Sequence, residues 1–140
     1  SFEFCANAIA QDKQTLLVIR TSRNAVFGGF ADEPWNMHPT VSYRGGPTSC
    51  LFRFDDSSDD HYFQYWPWTG ANRYVQLCDV SHKMLAFGGG GGDGFGLCVE
   101  QDFQVGSTRR CPTFDNEPLC DQENFDIVDL EVYGFLIGQF

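Results

Sequence analysis

Short apolar runs of strand length, separated by polar or glycine-rich breaks, recur along most of the chain. Thr15-Leu-Leu-Val-Ile-Arg20 is too short for a buried helix and has the length of a strand. The polar stretch Thr21-Ser-Arg-Asn24 joins it to Ala25-Val-Phe-Gly-Gly-Phe30, and together they predict a hairpin. Pro34 and Pro39 bracket an irregular connection around Trp35 and His38. A third strand is expected at Ser49 to Phe54, stopped by the polar turn Asp55-Asp-Ser-Ser-Asp-Asp60. The aromatic run His61 to Trp68 follows, broken by Pro67 and Gly70.

Further short strands are predicted at Asn72 to Asp79, Lys83 to Phe87 and Phe95 to Glu100, with a turn at Gly88 to Gly92. In the last strand, Asp126 to Phe135, Val128, Leu130 and Val132 alternate with Asp129, Glu131 and Tyr133, the period of one buried face. Only the opening Ser1 to Ala10 carries a helical period, in Phe2, Cys5, Ala6 and Ile9. Seven or eight short strands at close spacing, with little helix between them, predict an antiparallel sandwich. Leu17, Ile19, Phe52, Leu97, Leu130 and Val132 are its expected core residues. No internal repeat is visible, and residues 1–140 read as one domain.

Composition narrows the partners. Fourteen phenylalanines favour half-buried pleated surfaces. A formal charge of −10 opposes binding to a phosphate backbone or an anionic membrane surface. No apolar run approaches the roughly 20 residues needed to span a bilayer, so no direct membrane insertion is expected. After Arg110 there is no Lys or Arg, while Asp115, Glu117, Asp121, Glu123, Asp126, Asp129 and Glu131 follow. Two readings of that end stand: a solubilising surface, or the complement of a basic protein partner. The six cysteines contain no CxxC pair, which speaks against zinc-knuckle and thioredoxin-type chemistry. They read as buried thiols, with disulfides as the alternative.

Each chemical motif has a bland counterpart. Gly89, Gly91 and Gly94 satisfy GxGxxG, yet a dinucleotide loop needs a helix directly afterwards and here a strand-like segment follows. Asp55, Asp56, Asp59 and Asp60 suggest calcium by type, but lack the order of an EF-hand loop and read as a hairpin tip. His38, His61 and His82 have no zinc-ligand spacing, and no serine sits in a G-x-S-x-G elbow. Glu100 and Asp102 pair in sequence as an acid and a base do, and also as capping groups do. No catalytic residue, metal site or cofactor is expected.

The chain carries Phe27-Gly-Gly-Phe30, then Trp35, Gly46-Pro-Thr-Ser-Cys-Leu-Phe52 and Trp68-Thr-Gly-Ala-Asn-Arg-Tyr74, and the order of these motifs resembles the TLDc domain of oxidation-resistance proteins. Leu85 to Leu97 holds the glycine turn, one residue longer than the family pattern, with Glu100 and Asp102 beyond it. Gly106 to Leu119 matches G-S-x-x-x-C-x-T-F-x-N-x-P-L position for position, and Asp129 to Phe135 matches the last strand. Cys98 and Tyr133 depart from the family by standing where tryptophan is common.

The resemblance covers nearly the whole chain and leaves the family's first helical segment without a counterpart. It implies a two-sheet antiparallel β-sandwich flanked by a few short helices, and protection against oxidative stress. For several members it implies binding to the vacuolar proton-pumping ATPase, so a cytoplasmic domain reaching an organelle membrane through its partner is expected. Three functions follow: a regulatory module on that ATPase, a structural subunit of another large assembly, or a thiol-based antioxidant. Partner binding is expected at Glu100, Asp102, Arg109 and Arg110, beside the most specific motifs, or at the acidic C-terminal third.

Overall fold

The computed structural model describes residues 2, 13–55, 62–92 and 94–136. Among them are ten strands: β1 (Lys13–Thr21), β2 (Val26–Ala31), β3 (Tyr43–Arg44), β4 (Cys50–Asp55), β5 (Tyr62–Pro67), β6 (Gln76–Asp79), β7 (Met84–Phe87), β8 (Leu97–Glu100), β9 (Val105–Thr108) and β10 (Asn124–Leu136). Every pairing is antiparallel, in the order β3-β6-β7-β8-β9-β10-β1-β2-β4-β5. The expected helix over Ser1 to Ala10 lies outside the described residues except for Phe2, which alone among them has helical backbone.

The long last strand makes this order into a sandwich. β10 pairs with β9 through Asn124 to Asp126 and with β1 from Ile127 onward, so it belongs to both sheets. The inner faces meet in one core, where Leu17, Ile19, Phe27 and Leu51 of one sheet share a cluster with Leu85, Phe87, Leu97 and Val99 of the other. Burying such a side chain contributes about 1.5–3 kcal/mol. The sheets come close at Gly29: a methyl group there would lie 2.8 Å from the Phe87 ring, nearer than atoms can sit. Trp35, in the irregular connection after β2, closes the core edge-on against Phe87 at 5.3 Å.

Four of the six expected core residues, Leu17, Ile19, Phe52 and Leu97, are buried, Phe52 on the outer face of its sheet and outside the core cluster. Leu130 and Val132 are half-buried and pack on the rim of the core. Val128, expected on the same face, is 51% exposed. The register explains it: Arg20 faces Asp129 while Thr21 faces Ile127, so Val128 is the extra residue of a bulge. The bulge lies where β10 passes from one sheet to the other, and a strand that changes sheets needs such a bend.

Two strands have little signal in the sequence. β9 is Val-Gly-Ser-Thr, with a single large apolar residue, and is held by its neighbours β8 and β10. β3 is two residues long. Residues 72–75, expected to open a strand, instead form a turn before β6.

Candidate functional site

Three of the motifs that carry the resemblance, Trp68 to Tyr74, the glycine turn and Cys111 to Asn116, meet in a polar network. Gly88, Gly90 and Gly92 all have positive φ (80°, 85° and 85°), so the glycine run turns in a conformation that side chains resist. A Cβ at Gly88 would come 2.5 Å from the Cys111 sulfur, which sets how closely this turn approaches the 111–116 loop. Strand β8 follows the run, without the helix a dinucleotide site requires.

Thr113 joins turn and loop. Its hydroxyl accepts from the Gly89 N–H at 3.0 Å and donates to Asn72 Oδ1 at 2.8 Å. Asn72 Oδ1 also accepts from the Tyr74 N–H, and the Asn72 carbonyl accepts from Trp68 Nε1 at 2.7 Å. Thr69 donates through its backbone N–H to the Thr113 carbonyl and through its hydroxyl to the Pro112 carbonyl at 2.8 Å. Asn116 is wholly buried and fully used: Nδ2 donates to the carbonyls of Arg109 and Glu117, and Oδ1 accepts from the N–H and thiol of Cys111. The Thr69, Asn72, Thr113 and Asn116 side chains therefore hold backbone together.

The expected binding residues fall into two separate places. Glu100 ends β8 and faces Val105 across the hairpin, whereas Arg109 follows Thr108, which pairs with Leu97 at the opposite end. Asp102 lies in the turn 101–104, where Gln101, Asp102 and Phe103 all have left-handed φ (51°, 59° and 67°). Its carboxylate accepts from the Phe2 N–H, and the Phe2 and Phe103 rings meet at 5.4 Å, so Asp102 braces Phe2. Arg109 pairs with Glu123 and Arg110 with Asp115, both near the surface. These arginines border a cleft of about 470 Å³ whose other walls include Gly91, Gly94 and Cys120.

Arginines from earlier in the chain offset much of the acidic C-terminal third. Asp115, Glu117, Glu123 and Asp129 pair with Arg110, Arg53, Arg109 and Arg20. Asp121, Asp126 and Glu131 are further exposed acids of that third, Glu131 accepting from the Tyr133 hydroxyl. Arg53 also lies over the Trp66 ring at 5.3 Å and donates to Gln64 and the Pro118 carbonyl, tying β4 to the 117–118 segment.

One trio absent from the sequence reading occurs at the β6–β7 turn, where Asp79, Ser81 and His82 come together. His82 Nδ1 lies 2.8 Å from Asp79 Oδ2 and 3.2 Å from Ser81 Oγ, and Ser81 Oγ also donates to Asp79 Oδ1. A hydrolytic triad needs serine and carboxylate on different ring nitrogens. Here one nitrogen meets both, and the arrangement is a hairpin cap. Its signal in sequence was the short spacing Asp79-Val-Ser-His82.

The five described cysteines carry free thiols. Burial pushes every one of them up, with Cys78 and Cys98 raised to about 12. Among the described residues no three His, Cys, Asp or Glu side chains are grouped as a metal ion requires; Asp56, Asp59, Asp60 and His61 lie outside those residues.

The TLDc domain family model matches residues 1–136. The chain belongs to the TLDc domain family. It is 35% identical over 124 residues to nuclear receptor coactivator 7 of Homo sapiens, covering 89% of this chain and 12% of that protein. It is 36% identical over 119 residues to oxidation resistance protein 1 of Yarrowia lipolytica, covering 84% of this chain and 48% of that protein. Oxidation resistance protein 1 of Bos taurus is 35% identical over 124 residues, 89% of this chain and 13% of its own. The chain thus spans about half of the yeast relative and about an eighth of the two mammalian ones. In this TLDc domain, Trp68 to Tyr74, the glycine turn and Cys111 to Asn116 are tied together by hydrogen bonds to backbone.

Proposed function

We propose that this TLDc domain is a non-catalytic protein-binding module that docks on a vacuolar-type proton-pumping ATPase and regulates its assembly or activity. The observation that supports a binding role is the use made of the reactive side chains. The Asn72–Thr113–Asn116 network is spent on backbone, the Asp79–Ser81–His82 trio has the wrong geometry, and the five described thiols are pushed away from the reactive thiolate. The ATPase as partner rests on the family resemblance. Arg109, Arg110, Asp121 and Glu123 around the cleft are the charged groups through which docking would run, with Glu100 and Asp102 a second point at the far end of the hairpin.

Capture from a cell extract on the immobilised chain, read by mass spectrometry at low and raised salt, tests this. The expected result is recovery of peripheral ATPase subunits, weakened by raised salt and by Arg109→Glu with Arg110→Glu. The ion pairs those changes remove are near the surface and each is worth about 0–1 kcal/mol, so the melting temperature should hold. Recovery of a different assembly would replace the ATPase as partner. Turnover of a peroxide by the purified chain would overturn the non-catalytic reading.

A further inference from the structure

The two ends of the strand order are finished differently. At one end β3 is only two residues long, which leaves little edge for another chain to pair with. At the other end β5 runs for six residues, and from Tyr62 to Trp66 it carries no charged side chain. Among the described residues of this strand, the protective device is Pro67, the last one.

The register sorts the side chains along this edge. On the outer face Phe54 stands opposite Phe63, and Phe52 opposite Tyr65. Their rings form a continuous patch, with Phe54 and Phe63 at 5.2 Å and Phe63 and Tyr65 at 6.0 Å. Phe54 and Phe63 are 50% exposed and Tyr65 60%, although all three are large apolar groups. On the other face Tyr62 and Gln64 stand opposite Asp55 and Arg53. The Arg53 guanidinium is taken up by Glu117, Gln64 and the Pro118 carbonyl, and the groove beside it is lined by Asp55, Glu117 and Asp121 against Arg23 and Arg53, so acids outnumber bases there.

We infer that β5 receives an extended segment of a protein partner as an eleventh strand, apolar on the face beside Phe63 and Tyr65 and basic on the face beside Asp55 and Glu117. A strand alternates its side chains between two faces, so an apolar–basic alternation matches both sides of the edge at once. Cross-strand apolar pairs and main-chain hydrogen bonds hold the segment, and charge selects it. A second copy of this chain is the poorer occupant, because each copy carries a net charge of −10. The inference is independent of the ATPase reading, since it is tested on the isolated chain.

The probe is the synthetic peptide Lys-Val-Lys-Tyr-Lys-Val-Lys, added to the isotope-labelled 140-residue chain and followed by NMR and amide hydrogen exchange. Shifts should concentrate on residues 62–66 and their β4 neighbours, with slowed exchange at β5. The peptide with Glu in place of Lys should bind at least about tenfold more weakly. Phe63→Lys with Tyr65→Lys should weaken the basic peptide by a similar factor. If that variant fails to fold, Tyr65→Ser gives the same comparison at a more exposed position. Shifts centred elsewhere, none at millimolar peptide, or equal binding of the Glu peptide would overturn the inference. Concentration-dependent protection of β5 without peptide would overturn it in favour of a second copy.

Discussion

At Asn116 and Thr113, single side chains do the work of secondary structure. The 109–117 loop belongs to no strand, and its buried N–H and carbonyl groups need partners. Asn116 supplies four hydrogen bonds and Thr113 links the loop to the glycine turn. Thr113→Val keeps the shape and removes the hydroxyl, leaving the Gly89 N–H without its acceptor. A loss of about 1–3 kcal/mol is expected from equilibrium urea unfolding, and Thr113→Ser should retain most of the stability. The residue types of these motifs were plain in the sequence. Their role was not, because a Thr or Asn that binds a ligand and one that satisfies backbone have the same letters.

At the scale of elements, β10 shows how far local pattern reaches. Its alternation correctly announced a strand, and its apolar positions did not all end on one face. The bulge at Val128 depends on β10 having to serve β9 and β1 in turn, a requirement of topology. Val128→Thr should therefore change unfolding free energy by less than about 0.5 kcal/mol. Leu17→Ala, at a site with 1% exposure in the core, should cost about 2–5 kcal/mol. Similar losses for both would refute the bulge as the explanation.

At the scale of the molecule, charge links distant parts of the chain. Asp32 holds the 46–49 connection: its carboxylate accepts from the Gly46 N–H at 2.7 Å, the Thr48 N–H and hydroxyl, and the Ser49 hydroxyl. Burial acts to raise this carboxyl, and the four donors together outweigh it, holding it below its ordinary 3.8. A depressed folded value means that the contribution is complete above 3.8 and is lost as pH falls through the folded value. Stability measured by urea unfolding should fall below about pH 4, and Asp32→Asn should flatten that limb while lowering stability at neutral pH. Asp79 has the same direction: burial raises it, and bonds from Ser81 and His82 more than offset this. An unchanged acid limb in Asp32→Asn would assign it to other carboxylates.

Strand content, the hairpin of β1 and β2, most of the core and the family were determined by the sequence alone. The apolar runs and breaks act locally, and motif order survives without coordinates. Tertiary structure decided the rest. It drew β9 out of a stretch with almost no apolar signal by placing it between two strands. It set Glu100 and Asp102 at one end of a hairpin and Arg109 and Arg110 beyond the other. It offset much of the acidic C-terminal third with arginines from earlier in the chain. It also left β5 at the end of the strand order among the described residues, aromatic on one face. Each of these depends on which strands become neighbours, and pairing between residues far apart in sequence is set by closing the sandwich, beyond the reach of any local run of residues.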